Sequence, residues 1–413
     1  MRTLISSRSL MLDNKQLWAI STVMALRSCG MGAIWPYMAI FLDLQLHVQA
    51  SEVGESFAGL AIGSAVFQII GGHLADNLGR RSAMLTAGIA GAFIYLTMFL
   101  LLYFHAGPLP IIILFLLTSA SGGIIAPAAT AIVADVTKLH MRESGYAIYR
   151  VLTNIGWAAG SLTASFLYIH GMIFIILMAF VLVFLQLLLV LFSVKETSPG
   201  KEDTRGGLLA RFAQLAVFDV PLLFFSFSTL LITIMISQFS VTLSLFSAVK
   251  IGISVQDIGF IYALNGLIVI LGQLPAIRIV ERINDLNGLT IGTILYAAGY
   301  FFVGFSKTLP QLLADMVVIT MGENFTTPTI STIVSKLAPS TKLGRFMAFN
   351  GMSNSVGRAL GPALGSVLLF VFAQNYQLWL ALDGFGIAGL LFLLFLSKSG
   401  YLAADAYAVA RPE

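Results

Sequence analysis

Charge is scarce in this sequence. Lysine, arginine, aspartate and glutamate together make up 10% of the 413 residues, against about 25% in ordinary soluble domains, so a water-covered surface of normal composition is excluded. Cysteine occurs once, at Cys29. No intrachain disulfide can form, no thiol pair is available to a redox or metal centre, and Cys29 reads as a small core residue. Catalytic signatures are missing as well: there is no HExxH, no GxSxG and no carboxylate-rich metal cluster, so neither enzyme chemistry nor a cofactor or metal is expected. A repeated pore-loop filter or a ring of charges, which a channel would need, is also lacking.

What fills the chain instead is apolar. Hydrophobic residues make up 58% and the mean hydropathy is +0.92, values that belong in a lipid bilayer. Twelve stretches are long enough to cross about 30 Å of hydrocarbon as helices. They are expected at 16–43, 55–76, 82–105, 109–136, 145–169, 172–194, 217–248, 256–280, 288–306, 310–337, 344–372 and 377–397. Strands of a β-barrel would alternate apolar and polar residues, whereas these stretches are apolar on nearly all sides. The polar opening MRTLISSRSLMLDNK lacks a small-residue cleavage site and precedes a first span too long for a signal peptide, so it is expected to be retained.

The net charge of +4 would suit an acidic partner such as nucleic acid, but the basic residues sort by side instead. With twelve spans and both ends on one face, that face carries eighteen of them, from Arg2 and Arg8 to Lys398 and Arg411, and the other face only Lys250 and Lys307. Such asymmetry predicts a multi-pass protein of the plasma or inner membrane with both termini and the longest loop in the cytoplasm, and no nucleic-acid partner.

That loop, within 195–214, has linker composition (KETSPGKEDTRGGLLARF) and divides the chain into an N-terminal bundle, 1–194, and a C-terminal bundle, 215–413. Setting one half on the other at an offset of 201 residues aligns Gly71 with Gly272, Ala75 with Ala276, Pro127 with Pro328, Gly156 with Gly357 and Gly160 with Gly361, without a gap. The matches fall in corresponding spans, which favours an internal duplication. Two such six-helix repeats are an architecture that places a solute site between them near mid-membrane, reached alternately from each side.

One loop breaks the apolar pattern abruptly: GGHLADNLGRR, residues 71–81. Gly72 permits close helix approach, Gly79 can supply a left-handed turn, Asp76 can face a helix N-terminus, and Arg80 and Arg81 hold the turn in the cytosol. Residues 72–81 resemble the loop between helices two and three of the major facilitator superfamily, a G-x-L-a-D-r-x-G-r-r pattern met here except for Asn77 in place of the arginine. The twelve spans, the central loop and the half repeat extend that resemblance over the whole chain. It implies an all-α membrane fold of twelve transmembrane helices in two pseudo-symmetric bundles, and a cytoplasmic gate in which Asp76 meets the start of span eleven near Leu343 to Met347. Asp135 and Arg142, in ADVTKLHMRESGY, look like the family's second cytoplasmic turn; Asp135 either pairs with Arg80 or Arg81 in that gate or forms a surface salt bridge of small worth.

The family's drug:proton antiporter branch fits in part. Its fifth-helix G-x-x-x-G-P-x-x-G pattern lacks the proline in span five (GWAAGSLTA, 156–164), is complete as GRALGPALG (357–365) in span eleven, and the arginine of its fourth span is missing.

Four charges inside spans stand out, Arg27, Arg150, Glu323 and Arg358, since a charge costs about 2.5–3.5 kcal/mol at mid-membrane. Glu323 and Arg358 sit at similar depth on antiparallel spans ten and eleven, on faces continued by Thr320, Asn324 and Thr327 and by Asn350 and Asn354. Glu323 is therefore the candidate proton-coupling residue with Arg358 as its partner, the alternative being a permanent ion pair that fixes packing. Arg27 either binds an anionic or polar solute or reaches Glu323 across the bundles, with snorkelling to the cytosol as the competing role. Arg150 and Asn154 share a face of span five and extend the polar lining, although Arg150 could reach the cytoplasmic boundary instead. Trp35, Tyr37, Gln238, Tyr262 and Asn265 are further cavity candidates, for each of which an interhelical hydrogen bond or interfacial anchor is the competing role. The glycine series 156/160 and 357/361/365 read as close-packing ridges. Asp383, in span twelve, has no assigned role. The expectation is a monomeric, proton-coupled exporter of amphipathic compounds, with uptake of an anionic or sugar-like solute as the alternative.

Overall fold

A computed structural model describes residues 14–138, 142–197, 219–338 and 343–398. The central loop beyond residue 197 and the side chains of Gly72, Asp76 and Arg142, all expected to matter, lie outside what is described.

Twelve long α-helices follow one another among the described residues: α1 (Lys15–Ile40), α2 (Ala50–Leu78), α3 (Arg80–Tyr103), α4 (Pro108–Val136), α5 (Arg142–Leu167), α6 (Met172–Ser193), α7 (Val220–Ile236), α8 (Val255–Ile283), α9 (Asp285–Val303), α10 (Leu309–Leu337), α11 (Leu343–Val371) and α12 (Asn375–Lys398). No strand occurs among the described residues. Nine candidate spans among them are long and apolar enough to cross a membrane. Helices α2, α5 and α10 are not in that set; they carry Glu52 and Glu55, Arg150, and Asp315 and Glu323, respectively.

Local chemistry sets the ends. Asn14 accepts from the Leu17 amide at 3.1 Å to start α1, and Asp219 accepts from Leu222 at 3.0 Å to start α7, where Pro221 fills a first-turn position that needs no N–H. Both first helices of the two sequence halves run on into π-turns, Phe41–Gln45 after α1 and Phe246–Ile251 beyond α7. Gly79, at φ +95°, makes the sharp break between α2 and α3, a conformation that a side chain would strain.

By contact the described residues fall into two units. One gathers those within Met1–Val48, Ile62–Arg205 and Ser254–Ile270, the other those within Gln49–Ala61, Gly206–Ile253 and Leu271–Glu413. Two segments, one in α2 and one in α8, are grouped by contact with residues of the other sequence half. The first turns of α2 pack on α11, where a Cβ on Gly54 would meet Ser366 and the Pro362 carbonyl. The first half of α8 packs on α5: a Cβ on Gly266 would lie 2.7 Å from Ala158 Cβ, and the Phe166 and Phe260 rings meet edge to face at 6.4 Å. Small residues let these backbones approach.

Within each unit the same layout recurs. Leu17, Ile20 and Val23 of α1 pack with Ala83 and Met84 of α3, Ile132 of α4 and Val190 of α6. Leu222 and Phe225 of α7 pack with Leu289 of α9, Val334 of α10 and Leu393 of α12. A Cβ on Gly71 would strike the Ile124 backbone, and one on Gly272 the Asn324 side chain, so a single α2–α4 contact reappears between α8 and α10 within a residue of the 201 offset. Large apolar side chains such as Phe93, Phe192, Leu391 and Phe395 point outward, where hydrocarbon is their natural neighbour.

Candidate functional site

The loop between α2 and α3 is built from both sides. Arg80 pairs with Asp135, and its Nη1 donates to the Ala131 carbonyl at 3.0 Å. Arg81 Nη2 donates to the Leu191 carbonyl at 2.7 Å. Both guanidinium groups thus serve the C-terminal turns of neighbouring helices, α4 and α6, where the helix dipole favours a cation. Their backbone amides, the exposed donors at the start of α3, are taken by Glu196: Arg80 N donates to Oε1 at 2.9 Å and Arg81 N to Oε2 at 3.1 Å. Sequence reasoning missed Glu196, because an acid just past the end of an apolar span reads as linker. Its available signal was position, a carboxylate held at the cytoplasmic end of α6 where two orphan amides need an acceptor.

In the first unit, Arg27 is half-buried on α1 within electrostatic reach of Tyr95 on α3 and Tyr149 on α5. Its guanidinium fills the space over Gly122 on α4, where any Cβ would collide with Nη2. A cation, two phenols and a glycine that makes room for them come from four helices. The phenols were not anticipated, since tyrosine in a membrane helix carries no distinctive spacing. Asn154 Nδ2 donates to the Arg150 carbonyl at 2.8 Å, and both residues are half-buried on α5, as Trp35 is on α1.

Several cavity candidates lie in the protein interior. Tyr37 is fully buried, donates to the Ser161 carbonyl at 3.1 Å and stacks on Tyr168 with centroids 5.6 Å apart. Gln238 is also fully buried: Nε2 donates to the Ile234 carbonyl at 2.8 Å and the Gly361 carbonyl at 3.0 Å, while Oε1 accepts from Thr242 at 2.5 Å. Its amide is engaged with α7, α11 and the turn after α7. Tyr262 and Asn265 are buried on α8. Asn350 donates to Ser226 at 3.3 Å and Thr229 at 3.0 Å and accepts from Asn354 at 3.1 Å, and Asn354 accepts from Thr233 at 3.2 Å. These two asparagines form a polar ladder that binds α11 to α7, with each rung worth about 0.6–2 kcal/mol in a membrane interior.

Among the described side chains, ion pairs join Arg80 to Asp135 and Lys336 to Asp285, not Glu323 to Arg358. Arg358 turns along its own helix and Nη2 donates to Ser355 Oγ at 3.0 Å. Glu323 is half-buried on α10, flanked by fully buried Asn324 and Thr320.

Apolar helices and a doubled core define a multi-pass membrane protein, and known proteins place it further. The chain belongs to the Major Facilitator Superfamily, whose family model matches residues 20–254 and again 225–404. An uncharacterized MFS-type transporter of Bacillus subtilis, YttB, is 27% identical over 351 residues, 82% of this chain and 85% of the relative. Multidrug resistance protein 1 of the same organism is 24% identical over 378 residues, 89% and 93% of the two chains. Among solved structures, the nucleoside transporter NupG superposes with a TM-score of 0.73 at 16% identity, covering 92% of this chain and 98% of that one.

Proposed function

We propose that this protein is a proton-coupled exporter of amphipathic compounds in the cell membrane, working by alternating access with both termini in the cytoplasm. Glu323 is the observation that carries the reading: a half-buried carboxylate about 21 Å along α10, at a depth where a charge is costly to keep. Its proton occupancy would bias which side the transport path faces, because a ligand that binds one conformation better shifts the population toward it. Arg358, held to Ser355 on the facing helix, is the cation that would take the carboxylate once the proton leaves. The gate of Asp76, Arg80, Arg81, Asp135 and Arg142 would then stabilise the cytoplasm-closed state. Likeness to a multidrug resistance protein supports small amphipathic solutes.

The test is Glu323→Gln in proteoliposomes. Flux driven by a pH gradient should be lost while solute counterflow, which needs no net proton movement, persists. Gradient-driven flux equal to that of the wild type would remove Glu323 from the coupling role.

A second reading, uptake of an anionic solute, draws on the cluster of Arg27 with Tyr95 and Tyr149. A guanidinium flanked by phenols can hold a carboxylate or phosphate by charge-assisted hydrogen bonds. Competition by anionic compounds that disappears in Arg27→Gln separates this reading from the first.

A further inference from the structure

Asp383 occupies a place where a carboxylate has no structural reason to be. It lies about 12 Å from the Asn375 end of α12, is only 4% exposed, and neither carboxyl oxygen has a hydrogen-bond partner. One turn earlier on the same face, the indole Nε1 of fully buried Trp379 is unpartnered too. That indole is walled in by Tyr300, stacked at 5.2 Å, and by the edge of Phe246 at 5.3 Å. One turn later, Gly386 meets Met235 of α7. Two orphaned polar groups thus share one buried stripe of α12, between α7 and α9.

Packing does not ask for the acid. At the offset of 201 residues its counterpart is Leu182 on α6, an ordinary apolar side chain that touches Gly30 of α1. No fixed charge holds it either. Between Val220 and Ile236 α7 carries no ionisable residue; α9 carries Tyr296, Tyr300 and Asp285, and Asp285 pairs with Lys336. Among the described side chains, the cations on α11 and on the Phe246–Ile251 turn are Arg358, bonded to Ser355, and Lys250, which sits over the Phe370 ring at 5.5 Å. The Tyr300 hydroxyl donates to the Ile236 carbonyl at 3.0 Å and so is spent.

A carboxyl group withdrawn from water without a donor or a counter-charge is costly as an anion and tolerable as a neutral acid. We propose that Asp383 is a second proton-binding site of the transport cycle. It carries a proton while α12 is packed against α7 and α9 as seen here, and releases it when that seam admits water. The inference rests on the proton-coupled reading above and adds to it a site away from Glu323, at the back of the second unit's core. Trp379 is its positioning residue, the one unspent donor close enough along the helix to receive the carboxylate oxygens after the proton departs.

Difference infrared spectroscopy of the purified full-length chain in lipid nanodiscs tests the site without relying on transport. The wild type should show a carboxylic-acid C=O stretch that bleaches as the pH is raised, and that band should be absent in Asp383→Asn and in Asp383→Leu. The leucine variant keeps the fold testable, because Leu182 occupies the equivalent place. In proteoliposomes both variants should keep solute counterflow and lose part of the flux that a pH gradient drives in the wild type, with the remaining part lost on adding Glu323→Gln. Spectra identical in wild type and variants, a band that stays constant with pH, or gradient-driven flux unchanged in both variants would overturn the proposal for Asp383 and leave Glu323 standing. Wild-type flux indifferent to the pH gradient would instead overturn the proton-coupled reading itself.

Discussion

Gly160 and Gly351 sit on long helices of the same membrane protein and answer to opposite demands. A Cβ on Gly160 would fall on the Cys29 carbonyl, and one on Gly156 on the Ala25 carbonyl, whereas a Cβ on Gly351 meets nothing within 4 Å. Gly160→Ala should therefore destabilise the α1–α5 contact by about 1–3 kcal/mol through overpacking, while Gly351→Ala, at an open helical position, should be neutral or gain about 0.5–1 kcal/mol. Thermal unfolding of the detergent-solubilised variants reads both signs; an equal effect at the two positions would contradict the packing. The ridge role of the 156/160 and 357/361 pairs was legible from spacing alone, since four-residue repeats of glycine have little other use in a membrane helix. Gln238 was not legible in the same way. An amide looks the same in sequence whether its partners are two backbone carbonyls and a threonine or a solute. The pairing of Asn350 and Asn354 with α7 was hidden for the same reason.

At the scale of elements, the short reversal between α2 and α3 gathers Arg80, Arg81, Asp135 and Glu196 from three distant stretches of chain. Glu196 caps α3 from 116 residues away, so removing it exposes donors that no local residue can satisfy. In Glu196→Ala the Arg80 and Arg81 amides should exchange with deuterium severalfold faster than in the wild type, with the end of α6 loosened as well. Unchanged exchange at those two amides would mean that water serves them equally well. Arg80→Ala should free the Ala131 carbonyl and leave Asp135 without its cation, and with it slow the transport cycle without abolishing solute counterflow. Helix existence and position were well marked by apolar length, capping residues and Pro or Gly breaks, and most observed ends fall within a turn of those expected. Two helices depart further. Helix α2 begins at Ala50 rather than 55 because Glu52 and Glu55 are both exposed on its first turns, where they cost the helix nothing. Helix α7 stops at Ile236, and tighter and wider turns carry that span on to Ile251.

The molecule as a whole is written twice, and the repetition reaches individual contacts: Gly71 on Ile124 and Gly272 on Asn324, Gly156 on α1 and Gly357 on α7. Sequence offset alone revealed the duplication, but not that the first part of α2 and the first half of α8 each pack within the unit otherwise built from the opposite half. Packing partners of a segment that is apolar all round are set by shape, and composition does not encode them. The charges stand out against this duplicated frame because they are not repeated: Arg27, Glu323 and Asp383 have Ser228, Gly122 and Leu182 as their counterparts at 201 residues. Function in a duplicated scaffold resides where the copies differ. The most direct measurement is pH-gradient-driven accumulation of a panel of fluorescent amphipathic cations, zwitterions and anions in proteoliposomes. Proton-coupled export predicts saturable accumulation of some members in acid-loaded vesicles, abolished when an ionophore collapses the gradient. Fluxes equal with and without the gradient, for every member that the protein moves, would contradict it.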